Sequence, residues 1–257
     1  MLAMTALDRA LLPPLALLLA CAPAAVVHPR AAEQLQRGYA HLAAGDPERA
    51  EVAFEHALEF APDLAEGWNG LGVVARTRGD LPAAARSFAQ AVRLRPALAE
   101  GHANLGEVLL TQERFEEALD ALRAALRLDP DLAAARQNLA RALLQLGLLA
   151  PPEREARWAE ARREYLHLLE ADPKAVAALQ DLAFMDELSG RSERAAAGWR
   201  RAAEVAPSAE AHHGLCRALV RLGRCGEAVV ACDRALVLAP GDAACAVSRS
   251  AAAACAE

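Results

Sequence analysis

Apolar side chains recur three and four positions apart in WNGLGVVARTRGDLPAAARSFAQAVRLRP, Trp68 to Pro96, and again in HANLGEVLLTQERFEEALDALRAALRLDP, His102 to Pro130. Each segment holds two such stretches around a short polar break, so each predicts two amphipathic helices joined by a tight turn. The pattern extends along the chain. Prolines closing an Ala/Leu-rich stretch stand at Pro62, Pro96, Pro130, Pro173, Pro207 and Pro240, separated by 34, 34, 43, 34 and 33 residues. Twelve positions before each lies an alanine: Ala50, Ala84, Ala118, Ala161, Ala195 and Ala228. Eight positions before lie Phe54, Phe88, Leu122, Tyr165, Trp199 and, in the sixth unit, Cys232. Twenty-four positions before lie Gly38, Gly72, Gly106, Ala183 and Cys216; Ala140 is the equivalent in the fourth unit once its nine extra residues are placed in its middle.

Small residues on both helices of a hairpin let the axes approach, and the large residue one turn further fills the space between neighbours. A single hairpin leaves one apolar face open, so the next hairpin must stack on it. Turn chemistry agrees: Asp46-Pro47-Glu48 offers an N-cap, a proline at the first helical position and an acid in the first turn. After Pro240, Gly241-Asp242 starts a final Ala-rich helix over 243–257, expected to cap the stack.

The spacing together with Trp68, Leu71-Gly72, Ala84, Phe88, Ala91 and Pro96 resembles the tetratricopeptide repeat. The resemblance covers about six units over residues 31–242, with an insertion near 147–160 in the fourth. It implies an all-α, right-handed superhelical solenoid closed by the capping helix. The first unit departs from the pattern at Gln34 and Arg37. Members of this family use the concave face to hold an extended peptide or a helix of another protein. By that resemblance the groove-facing residues here are Tyr39, Glu66, Asn69, Val73, Arg76, Glu100, Asn104, Glu107, Asn138, Arg141, Asp181 and Phe184. Asn104 and Asn138 occupy the same position in successive units and resemble the asparagine ladder that binds peptide backbone, an amide being both donor and acceptor. The alternative is that these asparagines bridge neighbouring helices. The carboxylate clamp of chaperone-binding relatives is disfavoured, because Leu35 and Tyr39 stand where it requires polar residues.

In the fourth unit, LGLLAPPEREARWAEARREYLHLLEADP predicts a second helix extended by about two turns, roughly 13 Å. Trp158 lies on its apolar stripe, where it either covers Leu148 and Leu149 or anchors a partner.

Composition adds constraints. With 54% apolar but only 4% aromatic residues, burial falls to alanine and leucine, which suits close-packed helices. The net charge of −6 with both signs interspersed offers no basic stripe for nucleic acid. No nucleophile elbow, phosphate loop or isolated carboxylate pair is present, which argues against an enzyme and against a cofactor.

At the N-terminus, Ala10 to Val27 runs without a charge behind a short head carrying Arg9, the layout of an export signal. Leu18-Leu19-Ala20-Cys21 resembles the lipobox of bacterial lipoproteins, which implies a lipid on Cys21 and a tether ending near residue 30. Alanine after the cysteine resembles the sorting signal that permits transfer to the outer membrane. Cleavage after Ala24 to a secreted protein, or an uncleaved anchor, are the alternatives; two prolines in so short a span weaken the latter. A lipobox followed by about six repeats resembles the pilotin lipoproteins that assist type IV pilus secretins. Scaffolds for gliding motility, polysaccharide export or peptidoglycan enzymes, and a cytosolic adaptor, are further readings.

Five cysteines crowd the C-terminal end. Antiparallel register sets Cys216 level with Cys232 and places Cys225 near Cys255, leaving Cys245 over. Export would make both pairs candidate disulfides, and small buried thiols are the alternative. Their spacing does not match a zinc site, so no metal is expected even with His212 and His213 nearby.

Overall fold

A computed structural model describes residues 28–256, and these form thirteen α-helices with no strand among the described residues. Six hairpins follow one another: α1 (Pro29–Ala43) with α2 (Pro47–Phe60), α3 (Ala65–Thr77) with α4 (Leu81–Leu94), α5 (Ala99–Thr111) with α6 (Phe115–Leu128), α7 (Ala133–Leu149) with α8 (Arg154–Ala171), α9 (Val176–Leu188) with α10 (Ser192–Val205), and α11 (Ala209–Arg221) with α12 (Cys225–Leu238). The last helix, α13 (Ala243–Ala256), packs on α11 and α12. Each first helix packs its backbone close to the first helix of the next unit, whereas second helices of successive units stand further apart and meet only through long side chains, as Arg123 of α6 does with Glu160 of α8 and Arg200 of α10 with Glu227 of α12. The stack therefore curves with its first helices inside and its second helices outside.

The sequence register appears as packing. A Cβ added to Gly38 would meet the Phe54 ring, one added to Gly72 would sit 2.5 Å from Phe88, and one added to Gly106 would sit 2.5 Å from Leu122. Those three large residues are fully buried, as are the alanines at Ala50, Ala84 and Ala118. Glycine on the first helix thus admits the wedge of the second. In the sixth unit the two positions of this contact hold Cys216 and Cys232, whose sulfurs are within bonding distance and whose Cα atoms are 5.3 Å apart.

Helix ends follow local chemistry. Asp46 and Asp80 accept the N–H groups of Arg49 and Ala83, and Asp242 accepts those of Ala244 and Cys245 to start α13. Helix α1 begins at Pro29, with the His28 ring accepting from the Arg30 N–H, so it takes in the end of the expected tether. Five of the six hairpin turns close the first helix the same way. In each, one N–H returns to a carbonyl three residues back and the next N–H to a carbonyl five back, as in Gly79 to Arg76 and Asp80 to Ala75. The residue making the first of these bonds must take positive φ. It is Gly45, Gly79, Gly190 and Gly223 in four units and Glu113, at φ 60°, in the third.

The fourth unit differs from its expectation. Its extra residues are shared between both helices: α7 has 17 residues against 13 in α5, and α8 has 18 against 14 in α6. Leu146 to Leu149 form the last turn of α7 because nothing in that leucine-rich run breaks a helix before Pro151, and a 3₁₀ turn over Pro151–Glu153 leads into α8. Gly147 leaves room for the Trp158 indole, which a Cβ at that position would strike.

Candidate functional site: the concave face

First helices present their inner faces along one groove, and the interactions there decide which groups are available to a partner. At the N-terminal end the Tyr39 hydroxyl donates to the Glu66 carbonyl at 3.4 Å, and burial raises its pKa above the ordinary phenol range. The Glu66 carboxylate is held by both guanidinium nitrogens of Arg95, from the turn after α4, which leaves it poorly placed to meet a ligand. Asn69 is buried, and the Asn104 amide donates to its Oδ1 at 3.0 Å. Asn104 therefore bridges two helices, the second of the two roles considered for it. Arg76 and Glu107 pair across the same two helices. Glu100 is exposed and forms no ion pair among the described residues.

The middle of the groove is more open. Asn138 and Arg141, one turn apart on α7, line a cleft of about 380 Å³ together with Glu107, Leu110, Thr111, Glu113, Phe115 and Gln145. Neither Asn138 nor Arg141 has a hydrogen-bond partner or ion pair among the described residues, and Arg141 has only a longer-range attraction to Asp181, so both can still meet a ligand. Beyond them Gln137 donates to Asp181 at 2.9 Å. Burial holds the Asp181 carboxyl above the usual carboxylate range, opposed by Tyr165, Arg141 and Gln137, while Glu210 adds to the rise. The Tyr165 hydroxyl is fully buried beside it without a well-formed hydrogen bond. Towards the C-terminal end, buried Glu187 accepts two bonds from Arg217, each 2.9 Å.

Trp158 lies away from this face. Its indole N–H donates to the Leu144 carbonyl at 3.1 Å, and Arg154 lies over the ring with its guanidinium carbon 5.3 Å from the centroid. The ring covers Leu144 and Gly147, and Leu149 remains exposed. Its polar atom is engaged within the fold and Arg154 covers one face, while the side chain also lines a cleft of about 610 Å³ with Arg162, Met185 and Leu188. Cys225 and Cys255 are within bonding distance with Cα atoms 5.5 Å apart, and Cys245 is buried and unpaired. His213 shares a hydrogen bond with Ser248 at 2.8 Å. Among the described residues no three His, Cys, Asp or Glu side chains cluster as metal ligands would, and no helix is long and apolar enough to cross a membrane. Cys21 lies outside the described residues.

Sequence reasoning did not show which of the proposed groove residues are paired within the fold. It also missed Glu113, whose signal was present: four of the other hairpin turns carry glycine at that position in the repeat.

Family models of the tetratricopeptide repeat match residues 35–99 and 189–243, and a second one matches 99–132. The chain belongs to the tetratricopeptide-repeat family. Residues 133–188, which the matches skip, hold the lengthened α7 and α8. Among solved structures, PilF of Pseudomonas aeruginosa superposes with a TM-score of 0.72 at 21% identity, over 88% of this chain and 97% of that one. PilW, described as a widely conserved type IV pilus biogenesis factor, gives 0.72 at 19% identity over 86% and 98%. YrrB, a repeat protein of the same family with an unusual peptide-binding site, gives 0.57 at 22% identity over 69% and 87%. At these identities the likeness is one of fold. No curated protein matches the chain.

Proposed function

We propose that this protein is a protein-binding scaffold of the bacterial cell envelope, anchored to the periplasmic face of the outer membrane by a lipid on Cys21, and that it assists assembly of an envelope machine such as a type IV pilus. The observation that carries the reading is the extent of the likeness to PilF and PilW. It runs nearly end to end in both directions, whereas YrrB overlaps less of this chain. The lipobox-like Leu18-Leu19-Ala20-Cys21 ahead of the first repeat fits the same role. The partner occupies the concave face, where Asn138 and Arg141 offer unengaged polar groups and the neighbouring Leu110 and Phe115 offer apolar ones.

Two measurements on intact bacteria test this. Fractionation of the Cys21→Ser variant should move the protein from the outer membrane to the soluble fraction, and labelled palmitate should enter the parent protein alone. Cross-linking followed by mass spectrometry should then capture a component of an envelope assembly. A Cys21→Ser protein that still sediments with membranes, or captured partners that are all cytosolic, would refute the envelope assignment.

A further inference from the structure

The turn between α5 and α6 breaks the rule of its four counterparts. Gly45, Gly79, Gly190 and Gly223 take positive φ where a side chain is strained, yet the third unit places Glu113 there at φ 60°. The hydrogen bonds around it are those of the glycine turns: Glu113 N–H to the Leu110 carbonyl at 3.1 Å and Arg114 N–H to the Leu109 carbonyl at 2.9 Å. The backbone has not adapted to the side chain, so the strain is retained. Glu113 is exposed, forms no ion pair among the described residues, and lines the same cleft as Arg141, likewise exposed and unpaired among them. A second acid of the cleft, Glu107, is taken up by Arg76, and elsewhere along the groove Arg95 pairs with Glu66 and Arg217 with Glu187. One unpaired acid, Glu113, and one unpaired base, Arg141, thus face a single cleft without meeting each other. Between them lie the free amides of Asn138 and Gln145 and the apolar surfaces of Leu110 and Phe115.

We infer that this cleft is a subsite for a peptide segment bearing an acidic and a basic side chain on either side of an apolar one, the acid received by Arg141, the base by Glu113 and the backbone by Asn138. The inference rests on the reading of the groove as the partner site and specifies the partner's chemistry there. A guanidinium and a carboxylate of the partner complete two ion pairs that the fold leaves open. A ligand of single charge would leave one of the two unsatisfied.

The test uses fluorescent peptides of one common Ser/Gly frame whose centre is Glu-Leu-Lys, Lys-Leu-Glu, Gln-Leu-Lys, Glu-Leu-Gln or Gln-Leu-Gln, titrated against the full chain. One of the doubly charged peptides should bind about tenfold tighter than either singly charged one. Arg141→Gln should abolish the preference for Glu alone, and Glu113→Gly the preference for Lys alone. Glu113→Gly should also raise the melting temperature, which separates loss of recognition from loss of fold. Equal binding of all five peptides, or a lysine preference that survives Glu113→Gly, would overturn the subsite. Should that happen while a photo-cross-linker at Asn138 still captures a partner in cells, the groove reading stands and only the subsite falls; if Asn138 captures nothing, both fall.

Discussion

Gly72→Ala adds one methyl group at the closest approach of α3 and α4. Its Cβ would lie 2.5 Å from Phe88 Cε1 and 2.6 Å from Cδ1, about an ångström inside ordinary contact. The ring cannot retreat, because Phe88 is fully buried among Ala84, Ala85 and Val108. Overpacking of this kind costs about 1 to 3 kcal/mol. Alanine recovers about 0.8 to 1 kcal/mol over glycine through helix propensity. The expected net loss is therefore about 1 kcal/mol, where an unconstrained site would gain about that amount. Stacked repeats unfold in local units, so the measurement is hydrogen exchange across α3 and α4 in addition to a urea melt. Exchange there should quicken about fivefold while α10 to α12 change little, and Phe88→Leu on the Gly72→Ala background should restore much of the loss. A Gly72→Ala protein as stable as its parent, or more so, would refute the packing scheme of glycine under wedge.

Further outcomes follow from the same geometry. We expect Cys216 and Cys232 of protein exported to an oxidising compartment to be covalently paired, and Cys216→Ser to lower stability by about 3 kcal/mol there and far less in reductant; peptide mapping that finds both thiols free would reject the pairing. Asp186 is buried and held by Arg162 with Arg191 nearby, both guanidiniums being reached by water, so Asp186→Ala should cost about 1.5 to 3 kcal/mol through the lost charge-assisted hydrogen bonds, measurable by urea denaturation. Burial first and Arg234 second hold the His212 pKa below that of an exposed imidazole, so the unfolded chain binds its proton more readily. Stability should therefore fall as pH drops below about 6.5 towards the folded-state pKa, and His212→Gln should flatten that slope.

Much of the fold was legible because the repeat writes one packing rule several times. Gly38, Gly72 and Gly106 recur at fixed distance from Phe54, Phe88 and Leu122, and no other arrangement gives all three glycines a purpose. The same register placed Cys216 opposite Cys232, a contact whose geometry the structure reproduces. The fourth unit was less legible. Spacing counted its extra residues but not their division between α7 and α8, which depends on Trp158 covering Gly147 across the hairpin. The state of the groove candidates was not legible. Which of Asn69, Asn104 and Asn138 is free depends on contacts between residues of successive units. Sequence period places such residues on the same face but leaves open which side chains meet. Asn104 reaches Asn69, while Asn138 faces the open cleft beside Arg141. The strain at Glu113 was written in the sequence as a missing glycine, and it becomes meaningful only once the turn is seen to keep its glycine geometry.

The central claim is that partners bind inside the curve. The most direct test places a photo-activatable cross-linking residue at Asn138 in one variant and at Val237, 78% exposed on α12 outside the curve, in another, with both expressed in the native cell. The account predicts a discrete adduct from position 138 and none from position 237. An adduct from 237 with none from 138 would contradict it and move the binding surface to the outer helices.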